Sequence, residues 1–168
     1  MGSGLNIWHN LIEELIWIQE WNGGRGDFPC SVLACGIGLY YITSSDINRN
    51  VIANNSGTGI YINHATSTTI IENNVISGND EYGGILCSSN PGLHTDPVIQ
   101  HNVITNNNPQ GVHLYGVDIE PQVLDNEISG NTAPGIQTYI TEGGTFTEGR
   151  KRGQGEGSGV RLHKFTKW

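Results

Sequence analysis

The sequence predicts an all-β solenoid, a coil of short strands stacked turn on turn, and three observations support that prediction. A Gly followed by Ile or Val recurs roughly every 24 residues, a period typical of repeat architectures. Between these glycines an Asn recurs, with an apolar residue three positions before it and an Ile two positions after it. Through residues 36–140 apolar and polar residues alternate as in strands, and helical spacing is missing.

The strand that follows each glycine is the first element of a repeat. Its copies are Gly36-Ile37-Gly38-Leu39, Gly59-Ile60-Tyr61-Ile62, Gly84-Ile85-Leu86-Cys87, Gly111-Val112-His113-Leu114, Gly135-Ile136-Gln137-Thr138 and Gly159-Val160-Arg161-Leu162. The glycine itself suits either a turn that needs positive φ or a close approach of two backbones. Stacking the copies side by side places equivalent residues ~4.8 Å apart.

The recurring asparagines predict a hydrogen-bonded ladder inside the coil. The set is Asn50, Asn74, Asn102 and Asn126, and each member has another Asn five residues later, namely Asn55, Asn79, Asn107 and Asn131. Stacked amides of the first set can bond from coil to coil and satisfy turn backbone that would otherwise be buried unpaired. Two apolar columns accompany them, Ile47, Ile71, Ile99 and Val123 in one and Ile52, Ile76, Ile104 and Ile128 in the other.

These units resemble the repeats of right-handed parallel β-helix proteins, the pectin-lyase-like superfamily, strongly over residues 36–140. The resemblance implies a right-handed single-stranded parallel β-helix, and we expect about six to seven short coils. It implies little about activity, because the superfamily includes polysaccharide lyases, glycoside hydrolases, uronate epimerases, tailspike proteins and non-catalytic surface proteins.

Three regions are expected along the chain. Residues 1–35 form a first coil or a capping segment with a loop insertion, residues 36–140 form the regular coils, and residues 141–168 form a degenerate last coil with a basic, Gly-rich tail. Residues 5–21 allow two interpretations. Ile7, Asn10 and Ile12 repeat the coil pattern, whereas Asn10 as an N-cap followed by Glu13 and Glu14 would favour a helix that covers the first coil.

Composition limits the possible partners. The net charge of −8 argues against a nucleic-acid partner, and no apolar run is long enough for a membrane span. We expect an extracellular or cell-surface protein, although Met1-Gly2-Ser3-Gly4 shows no signal peptide. Cys30 and Cys35 are close enough to bridge in an oxidising compartment, and Cys87 falls at an inward position.

The side chains that point outward from the post-glycine strand form the candidate site. One outward column is Gly38, Tyr61, Leu86, His113, Gln137 and Arg161, and the other is Tyr40, Asn63, Ser88, Tyr115, Tyr139 and His163. Aromatic rings beside hydrogen-bonding groups suit sugars, so we expect an exposed face that binds a polysaccharide or glycan, with Tyr40, Tyr61, Asn63 and Gln137 as binding residues. The loop insertions at residues 80–82 and 90–97 are expected to lie beside this face and form one wall of a groove.

Whether the protein is an enzyme is left open by the residues. The outward columns contain no carboxylate pair, which disfavours hydrolysis. Lyase or epimerase chemistry is the alternative: it would use His113, Tyr115, Tyr139, Arg161 and His163 as base, acid and cation. No cofactor is expected. Calcium is left open, but the acidic residues are scattered and form no ligand cluster that would support it.

A non-catalytic structural or assembly module of a larger surface or tailspike-like protein is a further alternative. A coil has two open ends with unpaired strand edges, so a homo-oligomer through those ends is the partner that this alternative predicts.

Overall fold

The structure, a computed structural model, describes residues 5–8, 11–12, 16–19, 35–40, 44–64, 69–140, 147–149, 151–152 and 160–164. All elements in these ranges are strands. They are β1 (Leu5–Trp8), β2 (Leu11–Ile12), β3 (Ile16–Gln19), β4 (Ile37–Tyr40), β5 (Ser45–Asn48), β6 (Val51–Ala53), β7 (Ile60–Asn63), β8 (Thr69–Glu72), β9 (Val75–Ser77), β10 (Ile85–Ser89), β11 (Val98–Gln100), β12 (Val103–Thr105), β13 (Val112–Gly116), β14 (Gln122–Leu124), β15 (Asn126–Ser129), β16 (Ile136–Ile140), β17 (Thr147–Glu148), β18 (Lys151–Arg152) and β19 (Val160–Lys164).

The strands form three parallel sheets that run the length of the coil. Sheet A has the order β1-β5-β8-β11-β14-β17, sheet B has the order β2-β6-β9-β12-β15-β18, and sheet C has the order β3-β4-β7-β10-β13-β16-β19. From β4 to β15 the chain visits sheets C, A and B in turn, which makes four consecutive complete coils. The predicted parallel β-solenoid is therefore confirmed.

The N-terminal segment follows the coil interpretation and not the helical one. Its strands β1, β2 and β3 pair in parallel with β5, β6 and β4, respectively. Because β3 and β4 are neighbours in sheet C, residues 20–36 connect two adjacent strands of one sheet. Most of that predicted loop insertion, residues 20–34, lies outside the described residues.

The core is made of the apolar columns that the alternation predicts. Ile47, Ile71, Ile99 and Val123 are in register in sheet A, and Ile52, Ile76, Ile104 and Ile128 are in register in sheet B. All eight side chains are buried in one cluster with the inward residues of sheet C. Since each coil is too small to bury its own apolar side chains, stacking on its neighbours is what stabilises it.

Two asparagine ladders hold the corners between sheets. In the first, each Nδ2 donates to the Oδ1 of the next coil at 3.0–3.1 Å, along Asn50, Asn74, Asn102 and Asn126. The same oxygens accept the backbone N–H of the preceding Asn at 2.9 Å. The second set forms an equivalent ladder, with Nδ2 to Oδ1 distances of 2.7–3.1 Å along Asn55, Asn79, Asn107 and Asn131. The ladders thus satisfy buried turn backbone in every coil.

The glycines before β4, β7, β10 and β13 are required because there is no room for a Cβ atom, and not because the backbone has a positive φ. A Cβ on Gly36, Gly59, Gly84 or Gly111 would lie 2.6–2.8 Å from the carbonyl oxygen of the equivalent glycine one coil further on. Positive φ occurs instead at the corner between sheets A and B, at Arg49, Asn73, His101 and Asp125, with values of 52–57°. Each of these residues immediately precedes an asparagine of the first ladder.

Candidate functional site

The outer face of sheet C has the register that the sequence predicts. Along one column Gly38, Tyr61, Leu86, His113, Gln137 and Arg161 are successive Cα partners, and along the other Tyr40, Asn63, Ser88, Tyr115, Tyr139 and His163 are. Arg161 and His163 therefore lie on the strand next to Gln137 and Tyr139. Their side chains are outside the described part of the structure, so their proposed roles as cation and base stay predictions.

Most of this face is buried, which corrects the expectation of an exposed Tyr/His surface. Tyr61 has no exposed surface, and the exposed fractions of Tyr40, Asn63 and Gln137 are 4%, 6% and 7%. Tyr61 packs in a second apolar cluster with Cys35 and Leu86, and Tyr82 packs against that cluster. The covering residues come from the segment before β4 and from the loop before β10, so strand alternation alone did not reveal them.

Asn63 belongs to a buried polar network instead of an open binding surface. Its Nδ2 donates to the Tyr61 hydroxyl at 2.6 Å and to Ser88 Oγ at 2.8 Å. Burial raises the pKa of the Tyr61 phenol, while its hydrogen bonds with Ser88 and Asn63 act in the opposite direction. These groups bond to each other, and the network therefore stabilises the packing of the two neighbouring strands β7 and β10.

The part of the face around Tyr40 is also covered. The ring of His64 meets the ring of Tyr40 edge-on at 5.8 Å, and its Nε2 lies 3.2 Å from Asn90 Nδ2. His64 is almost completely buried and has a positive φ of 56°. Burial lowers the pKa of this imidazole. Tyr40 is consequently shielded by His64, which follows the strand of the next coil.

The accessible part of the face is centred on Tyr115, which is 55% exposed. Beside it lies a cleft of about 400 Å³, lined by Ser89, Asn90, Pro91, Tyr115, Gly116, Val117 and Tyr139. Asn90 and Pro91 belong to the loop that was expected to form the wall of a groove. Among the residues that the structure describes, the lining contains no Asp, Glu, Lys or Arg. The sequence did not indicate Ser89, Gly116 and Val117 as site residues, because the strand ends on which they lie resemble ordinary turns.

His113 lies next to this cleft and is held between two tyrosines. Its ring centroid is 6.4 Å from that of Tyr82 and 5.7 Å from that of Tyr139. Neither ring nitrogen has a hydrogen-bond partner in the structure. Burial lowers the pKa of His113, which favours the neutral imidazole near pH 7. Both ring nitrogens are buried, and His113 is not among the residues that line the cleft, so it contacts the cleft only through Tyr139.

Gln137 positions the Tyr139 ring. Its Nε2 donates to the Tyr139 hydroxyl, and its Oε1 accepts a hydrogen bond from Gln110 Nε2. Gln137 is thus a buried support for the aromatic wall of the cleft and not a surface contact. Of the predicted site residues with described side chains, Tyr115, Tyr139 and His113 are the ones that this geometry brings to accessible surface.

The remaining chemical groups give no second site. Within the described ranges, no three His, Cys, Asp or Glu side chains are close enough to share a metal ion. Cys35 is disulfide-bonded and Cys87 is a free, fully buried thiol, while Cys30 lies outside the described residues. Burial raises the pKa of the Cys87 thiol well above its usual range. In the same ranges, we find no helix with the length and hydrophobicity of a membrane span.

Acid is expected to destabilise the fold through His64 and His113. The folded pKa values of His64 and His113 lie below the unfolded value of 6.5, so the unfolded chain binds more protons as the pH falls. Stability should then be unaffected at alkaline pH and decrease as the pH falls below about 6.5. The midpoints of urea denaturation at pH 7.5 and pH 5.5 measure this decrease in stability. The decrease should be smaller in His64→Gln and in His113→Gln than in the wild type. His101→Gln, which replaces an exposed histidine, is the control. If both variants lose as much stability between pH 7.5 and pH 5.5 as this control, His64 and His113 are not the cause of the acid sensitivity.

Comparison with known proteins agrees with the fold. Residues 30–150 match the family described as a right-handed beta helix region. No curated protein and no solved structure matches the chain. The matched residues make up more than half of the 168-residue chain and include all four complete coils. The chain therefore belongs to the right-handed beta helix family.

Proposed function

We propose that this β-helix is a glycan-binding module whose site is the cleft beside Tyr115. The observation that best supports the proposal is the exposure of Tyr115 at the edge of a cleft that Tyr139 also lines. Solvent-exposed aromatic rings are well suited to the C–H face of a sugar, because the apolar ring faces stack. Asn90, an exposed residue that also lines the cleft, has an amide that offers a polar contact for hydroxyl groups.

The cleft is better suited to binding than to hydrolysis. Hydrolysis of a glycosidic bond needs two carboxyl groups across the bond, and the cleft lining contains none. Elimination on a uronate is the second candidate, since His113 is held neutral near pH 7 and lies against Tyr139 of the cleft wall. Both of its ring nitrogens are buried, so the side chain would have to rotate toward the cleft to act as a base. It would also need a cation, and the nearest candidate in the register is Arg161, whose side chain is outside the described part.

Replacing Tyr115 with Ala is expected to weaken glycan binding about fivefold to tenfold, the effect of losing one stacking ring. Affinity gel electrophoresis with soluble glucan, mannan, xylan and polygalacturonate measures this change. Tyr115→Phe keeps the ring and should retain most of the binding, while Ile70→Ala changes an exposed apolar residue on sheet A and should have no effect.

Two outcomes would count against the binding proposal. One is that no probe retards the wild-type protein, and the other is that Tyr115→Ala binds as well as Ile70→Ala. An increase in ultraviolet absorbance from unsaturated products of polygalacturonate, lost in His113→Gln, would instead support elimination.

A further inference from the structure

Asn90, which lines the cleft, is held in place by a buried histidine. Its Nδ2 lies 3.2 Å from Nε2 of His64, a side chain that is 1% exposed. The backbone of Asn90 is fixed as well, since its carbonyl oxygen accepts the Leu93 N–H at 3.1 Å and the Ser89 hydroxyl at 3.4 Å. The position of the Asn90 amide is therefore set by contacts within the protein.

The contact with His64 also gives the Asn90 amide a direction. A side-chain amide has a donor end and an acceptor end, and the donor, Nδ2, is the end turned to the imidazole. Nε2 accepts this hydrogen bond, so it carries no proton. Among the described residues, Oδ1 at the other end of the amide has no hydrogen-bond partner. This oxygen is thus the atom that remains to accept a hydrogen bond from a ligand in the cleft.

Protonation of His64 would reverse that direction. An imidazolium carries a proton on both nitrogens, so Nε2 becomes a donor and no longer pairs with Nδ2. The contact is restored when the Asn90 amide flips, which turns Oδ1 to the ring and Nδ2 to the cleft. Asn90 is exposed, so its amide can flip without displacing a packed side chain. The cleft then loses its hydrogen-bond acceptor at this position.

The described groups that face His64 are uncharged at neutral pH. The ring of Tyr40 on β4 meets the imidazole at 5.8 Å, the Ser88 carbonyl oxygen on β10 accepts the His64 backbone N–H, and Asn90 meets Nε2. Of these groups the Tyr40 phenol titrates, in the alkaline range. Residues 41–43 and 65–68, which follow Tyr40 and His64 in the sequence, contain no Asp, Glu, Lys, Arg or His. Among these groups, His64 is therefore the one that changes charge between pH 5 and pH 8.

The loop that carries Asn90 contains two further titratable residues, His94 and Asp96. His94 is exposed and Asp96 is half-buried. The pKa of His64 is lowered by burial, and neither of these residues contributes to the shift. The neutral, accepting form of His64 therefore predominates at pH 7, and its protonation occurs below the ordinary value of about 6.5.

We propose that His64 is a positioning residue of the cleft, which turns the Asn90 amide oxygen to the ligand and makes glycan binding depend on pH. This role rests on the proposed function, because it concerns the same cleft. The ligand group at Asn90 is then a hydrogen-bond donor, such as a sugar hydroxyl. Acid should weaken binding about threefold, at the lower end of the effect of one hydrogen bond, because a hydroxyl can partly compensate by accepting from Nδ2.

An NMR titration of the isotope-labelled full chain tests the contact without a ligand. The side-chain amide signals of Asn90 should shift with the same midpoint as the His64 ring signals, below pH 6.5, and His64→Gln should abolish that shift. Asn90→Asp places a carboxylate beside Nε2, so it should raise the midpoint of His64 above that of the wild type. The exposed amide of Asn54 is the control signal, which should not follow this midpoint.

Affinity gel electrophoresis at pH 7.5 and pH 5.0 tests the consequence for binding. The probe is whichever of glucan, mannan, xylan and polygalacturonate retards the wild type most strongly at pH 7.5. His64→Gln should lose the threefold response, because glutamine stays neutral. Asn90→Asp should also lose it, because a carboxylate accepts hydrogen bonds whether or not His64 is protonated. His113→Gln should keep the response, which distinguishes His64 from the histidine that lies against Tyr139.

Three results would overturn this role of His64. The first is that the Asn90 amide signals do not follow the His64 midpoint. The second is that the wild type binds the probe equally well at both pH values, in which case the proposed function stands and the role of His64 does not. The third is that His64→Gln responds to pH as the wild type does, with both proteins folded at pH 5.0. If no probe retards the wild type at either pH, the proposed function itself fails, and the pH dependence of binding fails with it.

Discussion

Replacing Asn102 with Leu is expected to lower the free energy of unfolding by about 4 kcal/mol, although the two side chains have similar volumes. Asn102 Nδ2 donates to Ile71 O, Gln100 O and Asn126 Oδ1 at 2.9–3.0 Å. Its Oδ1 accepts the backbone N–H of Asn74 at 2.9 Å and the side-chain amide of the same residue at 3.0 Å. Leucine would leave these buried groups without partners, and each such group costs about 1–3 kcal/mol.

Urea denaturation of Asn102→Leu measures the loss, and Asn73→Gly is the matched control. Asn73 is an exposed asparagine at the equivalent corner one coil earlier, with a φ of 57° that glycine adopts freely. Its side chain makes one long contact, 3.3 Å from Nδ2 to Asn48 Oδ1. The control should therefore change stability by less than about 1 kcal/mol. Equal losses in the two variants would mean that the ladder does not stabilise the coil.

The Gly84→Ala variant is expected to be destabilised by about 3 kcal/mol through steric overlap with the next coil. An added Cβ would lie 2.6 Å from the carbonyl oxygen of Gly111, and 3.0 Å from both Asn107 Nδ2 and Ile104 Cγ2. The carbonyl oxygen belongs to backbone that is itself paired, so it cannot move without breaking hydrogen bonds between coils. Thermal and urea unfolding of the variant measure the cost.

Gly92→Ala is the control for this second prediction. A Cβ on Gly92 would meet nothing within 4 Å, although its φ of +80° is unfavourable for alanine. It should thus cost only the backbone strain, about 1 kcal/mol. If Gly84→Ala were as stable as Gly92→Ala, the contact between successive glycines would not limit the side chain at that position.

Much of the fold was predictable because the same local pattern occurs in every coil. Ile47, Ile71, Ile99 and Val123 could be assigned to one column from their spacing alone, and the structure confirms their register. The first asparagine ladder followed from the phase of Asn relative to those residues. The second ladder follows the same spacing, but its hydrogen bonds became evident only in the structure.

The candidate site was less predictable, because exposure depends on segments outside the repeat. Alternation places Tyr61 and Tyr115 on the same outer face, yet one is fully buried and the other is 55% exposed. The difference comes from packing near Tyr61, where Cys35 and Leu86 join it in one cluster, whereas Tyr115 stands at an open cleft. The spacing of residues within one strand does not indicate which neighbouring segment will cover an outward side chain.

The sequence by itself determined the parallel coil, the inward columns and the order of residues along each face, since these depend on strand alternation and on a repeat length near 24 residues. Only the tertiary structure decided which outward residues stay accessible, because covering groups such as His64 over Tyr40 come from neighbouring coils. It also decided why position 84 requires glycine: a Cβ atom there would overlap the Gly111 carbonyl oxygen of the next coil, and positive φ is not the reason. The repeat thus specifies which residues stack, and contacts between coils specify which outward residues remain accessible to a ligand.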